Sequence, residues 1–423
     1  MLRLPSDEVL SFLLIVATLL LSARLMGELF RKLKLPQVMG ELVAGILLGP
    51  SLLGTICPDF YNSFFVAPSN AAMAFDGMAR IGIVLLLFVA GMEIDLEVIK
   101  LKAKAAATIS ISGIVIPFAV GFVATWYFFN YLFPAGMSDK LASSLFMGTA
   151  LSLTALSVLA KILIDLDIIK TKFGNLLMTS AMISDFIGWL LFSLVISVAN
   201  LKEGEGFQVW QIMFMVIGFA TFILTVGRRI IHYFFIISNL YLSKNGGTLS
   251  IAIILCFFGA VFTEWVGLHA IMGAFLVGIA VGDSDHFSHK NKDMLHDIVT
   301  FIFAPMFFVS IGFTVNFVTN FDLPIIGFVL AISIIGKIAG GMLGARLGKF
   351  TLNESFAIGL GMNTRGSQEI VLGLIALNAG LITDQIFVAL VVMTFFTILI
   401  SGPGIRFFLH KHNITSSEDE LST

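Results

Sequence analysis

Four polar side chains stand deep inside apolar stretches of this chain. Asp185 interrupts "TSAMISDFIGWLLFSLVISV" (179–198), and no basic residue lies within a turn or two of it. Lys337 sits in "IIGKIAGGMLGARL", Arg365 in "GMNTRGSQEIVLG" and Thr154 in "GTALSLTALSVLA". At 1.5 Å of rise per residue, Asp185 lies ~16 Å into its segment, Lys337 and Thr154 ~20 Å and Arg365 ~15 Å. All four depths fall near the middle of a hydrocarbon core ~30 Å thick. An ionised group there costs about 2.5–3.5 kcal/mol on insertion scales, and such groups mark ion or proton routes. A carboxyl group at that depth can take a proton, or a partly dehydrated Na+ or K+ helped by nearby oxygens. Thr154, Ser157 and Ser184 supply hydroxyls for that purpose. Competition of proton and cation for one carboxylate is sufficient for exchange, provided the site opens to each side in turn.

The elements that must carry these groups are membrane helices. Hydrophobic residues are 58% of the chain and charged residues 12%, about half the charged share of ordinary soluble domains. Apolar runs long enough to cross a bilayer recur from end to end. The reading is thirteen spans, near 9–30, 37–55, 78–96, 105–129, 141–163, 174–199, 207–230, 247–264, 267–282, 293–316, 324–347, 355–378 and 385–406. Basic residues follow the odd-numbered spans: Arg31, Lys32 and Lys34, then Lys100, Lys102 and Lys104, and so on to Arg406 and Lys411. The intervening loops carry almost none. Positive loops stay inside, which predicts an N-terminus outside and a C-terminus in the cytoplasm of a cell (inner or plasma) membrane protein. Segment 228–245 reads as the tail of span seven along the cytoplasmic surface, because a fourteenth span would break the alternation. Asp7 and Glu8 stand where a signal peptide would be basic, so the first span is expected to be retained. Residues 409–423 read as a short disordered tail.

Other classes are set aside on simple grounds. The net charge of −2 gives no reason to expect nucleic acid as a partner. Cys57 and Cys256 form no metal or disulfide pattern, and no cofactor is implied. His286, His289 and His296 share a polar loop, but their spacing fits no standard zinc pattern, and a solvated loop is the expectation. An intramembrane aspartyl protease would need a second midplane aspartate on another span, and no "HExxH" is present. The chain therefore reads as a transporter and not as an enzyme. Two other transport readings stay open: a proton-coupled carrier of an organic solute, and a channel-like or ion-gated K+ efflux protein.

Spans five and twelve are poor helices. Span five packs Thr149, Ser152, Thr154 and Ser157 into nine residues, whose hydroxyls compete for backbone hydrogen bonds. Span twelve places Gly359, Gly361 and Gly366 around a polar run from Asn363 to Glu369. Broken backbone at membrane depth is tolerated only where it lines a cavity or is buried in protein. Each weak helix is followed at the same offset by another span: Thr154 leads by 31 residues to Asp185, and Thr364 to Phe395. This suggests inverted six-span repeats, about 9–199 and 247–406, joined by a linker helix in 207–245. Only the first repeat carries the acid.

The chain resembles the monovalent cation:proton antiporters, especially the Kef-type and NapA-type branch, over 5–408. The resemblance rests on "LPQVMGELVAGILLGPSLLG", "IGIVLLLFVAGMEIDL", "ALSLTALSVLAKIL", "GLHAIMGAFLVGIAVG", "FAPMFFVSIGFTVNF" and "NTRGSQEIVL" taken together. It implies an all-α fold with crossed, discontinuous helices at spans five and twelve, a homodimer, and a mobile core domain working against a dimerisation domain. It places the family's essential aspartate on Asp185, its unwound-helix threonine on Thr154 and its buried lysine on Lys337. No stretch corresponds to the regulatory domain of Kef-type proteins. Where electrogenic relatives carry two aspartates in tandem, this chain has Ser184-Asp185. Lys337 is therefore left with two roles, pairing with Asp185 or bracing helices. One acid also implies one proton per cation, hence electroneutral exchange. Among the other membrane acids (Glu41, Glu93, Glu264 and Glu369), Glu93 and Glu264 are the candidate counter-ions for Arg365.

Overall fold

The computed structural model describes residues 5–421, except 34, 68, 95–102, 134–138, 167, 170, 200–208, 242–245, 267–268 and 285. Lysines 34, 100 and 102, used for the orientation argument, lie outside the described residues. All regular structure in the described residues is helical. Besides one-turn segments, the chain forms α1 (Ser6–Lys32), α2 (Gln37–Leu48), α3 (Ser69–Met92), α4 (Ala103–Tyr127), α5 (Lys140–Ser152), α6 (Leu156–Asp165) and α7 (Lys172–Ala199). Then come α8 (Val209–Phe222), α9 (Arg228–Tyr241), α10 (Gly246–Trp265), α11 (Ala270–Gly282), α12 (His289–Ile298) and α13 (Ala304–Thr314). The last four are α14 (Leu323–Leu347), α15 (Leu352–Met362), α16 (Ser367–Asn378) and α17 (Asp384–Leu421). Single π turns, 223–227 and 299–303, join α8 to α9 and α12 to α13.

Ten helices among the described residues are long and apolar enough to cross a membrane. They include 214–238, so the segment expected as the tail of span seven continues that helix. Expected span nine is the short α11. Expected spans five and twelve are each divided, into α5 and α6 and into α15 and α16, at the hydroxyl-rich and glycine-rich stretches. The stretch expected to be a disordered tail instead prolongs α17 to Leu421, since no glycine or proline follows Gly404 to stop it.

The chain divides into two compact units, 1–94 with 214–321 and 95–213 with 322–423. Each draws on both halves of the sequence. In the first, α2 packs between α1 and α13, and α3 packs on α11. Its core includes Ile15, Leu19, Phe65, Phe75, Met306 and Val309.

In the second unit, α4 lies against α14 and α5. The small-residue row Gly336, Gly340, Gly344 makes that contact close. A Cβ at Gly340 would stand 2.7 Å from the Ser112 carbonyl oxygen, and one at Gly344 2.6 Å from the Ile109 Cα, so neither position admits a side chain. Helix starts are written into the sequence. Asp139 caps α5, accepting from the Leu141 amide at 2.8 Å. Asp322 caps α14 through Ile325 at 3.0 Å, and Thr351 with Glu354 forms a reciprocal capping box on α15.

Candidate functional site: a carboxylate at two broken helices

All of the site described below lies in the second unit. Helix α5 ends at Ser152 because the backbone turns extended at Leu153 (φ −71°, ψ 160°) and stays so at Ala155. Helix α15 ends at Met362, and Gly366 is extended before α16 begins. The two unwound stretches cross and satisfy one another. The Ala155 amide donates to the Thr364 carbonyl at 2.8 Å. The Thr154 hydroxyl donates to the Met362 carbonyl, the last of α15, at 2.9 Å. Breaking a helix at membrane depth frees polar backbone groups that no water meets, and here each break answers part of the other.

The freed carbonyls of α5 are answered by cations. Arg365 donates from Nη1 to the Ala150 carbonyl at 2.7 Å and from Nη2 to the Leu151 carbonyl at 2.6 Å, with Ser333 Oγ at 3.1 Å. Lys337 Nζ donates to the next carbonyl, Ser152, and to Gly113 at 2.9 Å. Both side chains are fully buried. A helix C-terminus carries partial negative charge, so two cations there are placed where the dipole favours them. Lys337 thus contacts the broken end of α5 and α4, and no ion pair within 4 Å joins it to Asp185 among the described residues.

The carboxylate meets the opposite ends of the broken helices. Asp185, on α7, is 3% exposed. Gln368, in the first turn of α16, donates from Nε2 to Asp185 Oδ2 at 3.0 Å. The Leu156 amide, at the start of α6, hydrogen-bonds to the same carboxyl group. Helix N-termini favour negative charge. On α7 and in the broken stretch of span twelve, several buried atoms have no partner among the described residues: Asp185 Oδ1, Ser184 Oγ, Gln368 Oε1 and both amide atoms of Asn363. Unsatisfied buried oxygens are few in a folded protein and call for an explanation. A dehydrated cation is one occupant that such oxygens suit.

Arg365 also corrects the counter-ion expectation. Its carboxylate neighbour is Glu369, with Nη1 to Oε1 at 3.7 Å, one helical turn along the chain. Glu369 Oε2 in turn accepts the Gly366 amide at 2.8 Å. Glu93 lies instead 4.0 Å from His296, and Glu264 accepts the Ala270 amide at 2.8 Å, both within the first unit. A residue four positions away on the same chain needs no second element to bring it to Arg365, which is why Glu369 prevails. Asp185, Glu369, Lys337 and Arg365 are thus two acids and two bases buried in one unit, a formally neutral set when all are ionised.

Of the remaining expected residues, Ser184 is fully buried beside Asp185. Ser157 falls in the first turn of α6, and its side chain lies outside the described residues. Sequence reasoning missed Gln368 as a partner of Asp185, although its type and its place in the polar run of span twelve were visible. The three loop histidines do not gather. His286 packs its ring on His232 with centroids 4.2 Å apart, while His289 and His296 lie on α12. Among the described residues no three His, Cys, Asp or Glu side chains group as a metal site.

Thr154 spends its proton on Met362, so its two lone pairs remain available to a cation. Replacing it with valine removes that oxygen and one buried hydrogen bond. The expected result is a rise of about tenfold in the apparent KM for cation, the equivalent of about 1.4 kcal/mol. Thr154→Ser, which retains the hydroxyl, should stay near wild type. Equal KM in the valine variant would return Thr154 to a purely structural role.

An all-helical membrane fold with two broken, crossing helices and a buried carboxylate between their ends defines a class of ion transporter. The family model of the sodium/hydrogen exchanger, transmembrane, matches residues 15–411, and this chain belongs to that family. It is 31% identical over 402 residues to the Na(+)/H(+) antiporter NhaS4 of Synechocystis sp., covering 93% of this chain and 96% of that protein. It is 30% identical over 417 residues to K(+)/H(+) antiporter 1 of Saccharomyces cerevisiae, covering 94% of this chain but 46% of that protein. The chain spans about half the length of the plant and yeast relatives it matches. In fold it is similar to the sodium proton antiporter MjNhaP1 of Methanocaldococcus jannaschii, with a TM-score of 0.61, 18% identity, and 93% and 96% of the two chains covered.

Proposed function

We propose that this protein exchanges a monovalent cation, Na+ or K+, for H+ by alternating access, with proton and cation competing for Asp185. The observation that carries the proposal is a carboxylate buried at the N-terminal ends of α6 and α16 with one oxygen unpartnered among the described residues. Membership of the exchanger family and the antiporter names of its relatives support the same reading. Asp185 holds a proton in one state. In the other it holds the cation, with Thr154, Ser157 and Ser184 completing the oxygen shell. Lys337 and Arg365 support the site by fixing the C-terminal end of α5. The working protein is a homodimer in the cell membrane, in contact with lipid, with its N-terminus outside and its C-terminus in the cytoplasm.

Gln368 adds a device that the residue pattern alone did not suggest. Its Nε2 donates to the Asp185 carboxylate, while Oε1 has no partner among the described residues. Turning the amide over would present an oxygen to a cation beside Asp185.

A single carboxylate releases one proton for each cation it accepts, and the loaded site carries the same charge either way. Exchange is therefore electroneutral. One charge moved across 100 mV is worth about 2.3 kcal/mol, so an electrogenic cycle would respond strongly to voltage. Proteoliposomes carrying an internal pH dye, titrated separately with Na+, K+ and Li+, identify the cation. Clamping the voltage should leave the rate unchanged. A cation-driven current that disappears in Asp185→Asn would refute one-for-one exchange and bring a second proton carrier into the cycle.

A further inference from the structure

The first unit contains a buried acid that the exchange cycle at Asp185 does not use. Glu41, on α2, is 7% exposed, and its Oε2 has no hydrogen-bond partner among the described residues. It lines a cavity of about 260 Å³ together with Arg24, Gln37, Thr300, Phe301 and Pro305. The positive charge nearest at hand is already engaged. Arg24 pairs with Glu28 at 3.0 Å and lies over the Phe301 ring, 5.5 Å from its centroid. No ion pair reaches Glu41 among the described residues.

Thr300, which lines the same cavity, has lost the usual partners of its carbonyl. The chain there makes the π turn Val299–Phe303, and the Ala304 amide donates to the Val299 carbonyl. The next residue, Pro305, has no N–H to give. The Thr300 carbonyl is thereby left with neither the amide four residues on nor the one five residues on, and a π turn is a frequent mark of a functional position. Gly27 keeps the cavity open. A Cβ there would stand 3.6 Å from the Gln37 carbonyl oxygen and 3.8 Å from Glu41 Cγ, so a longer side chain would fill the space.

We propose that Glu41 anchors a second monovalent-cation site, completed by the Thr300 hydroxyl and carbonyl and the Gln37 amide oxygen. The ligands are hard oxygens, which suit alkali cations. A single carboxylate favours a univalent ion, since all-protein sites for divalent cations assemble more oxygens and more charge. At about 30 Å³ for each water, the cavity has room for the ion with part of its hydration shell. An anion would face the unpartnered carboxylate.

Equilibrium binding of 22Na+ and of 86Rb+ to the purified full chain tests this. Wild type should bind two ions per chain, Asp185→Asn one, and Asp185→Asn/Glu41→Gln none. Gly27→Leu, which fills the cavity without changing a charge, should remove the same ion from Asp185→Asn. If wild type and Asp185→Asn each bind one ion and Glu41→Gln removes it, the second site stands and the assignment of Asp185 fails. If Asp185→Asn binds no ion, or if its bound ion survives Glu41→Gln, the Glu41 site is refuted.

Discussion

Asp185→Asn abolishes exchange and leaves the fold intact. Asparagine keeps the volume of the side chain, and its amide can still meet Gln368 across the 3.0 Å contact. What it loses is the ability to alternate between a proton and a cation. No other acid adjoins it on α7, where Ser184 occupies the preceding position. The expected loss is complete within the background of protein-free vesicles, with gel filtration and melting temperature near those of wild type. Exchange at near wild-type rate in the purified variant would mean that Asp185 is not the carrier.

Arg365→Ala has the largest expected effect on stability. It removes the donors that answer Ala150 and Leu151 at the broken end of α5 and leaves Glu369 without its cation. Removing one partner of a buried charge pair typically costs about 3–5 kcal/mol, and each carbonyl left unpaired adds about 1–3 kcal/mol. A single domain holds only about 5–15 kcal/mol in total. The variant should therefore be recovered poorly and melt well below wild type. Arg365→Lys should rescue only in part, because an ammonium cannot reproduce the two-pronged contact of a guanidinium. A variant that melts like wild type but fails to transport would move Arg365 from bracing to ion handling.

Much of the fold was legible from composition and local chemistry. The hydroxyls of span five and the glycines of span twelve marked the two breaks, because both weaken a helix through its own backbone. The row Gly336, Gly340, Gly344 announced a close helix contact, and α4 is the partner. The acid at 185 was visible because a charge in an apolar run is a local anomaly. The partners of the buried cations were not visible in the same way. Lys337 and Arg365 spend their protons mainly on carbonyls of residues 113 and 150–152, and every residue has a carbonyl. Nothing in a residue's type says that its backbone will be left unpaired until the break is placed in three dimensions. The counter-ion of Arg365 was sought on other spans, although the i,i+4 spacing to Glu369 already put an acid one helical turn away.

Competition at Asp185 is tested most directly by the apparent KM for cation measured against pH in proteoliposomes. A proton that occupies the cation's own site should raise that KM as pH falls, by about tenfold per unit in the acid limb for one proton. The maximal rate at saturating cation should hold constant over the same range. A KM indifferent to pH, with the maximal rate falling instead, would show that proton and cation occupy different groups and would contradict exchange through a single carboxylate.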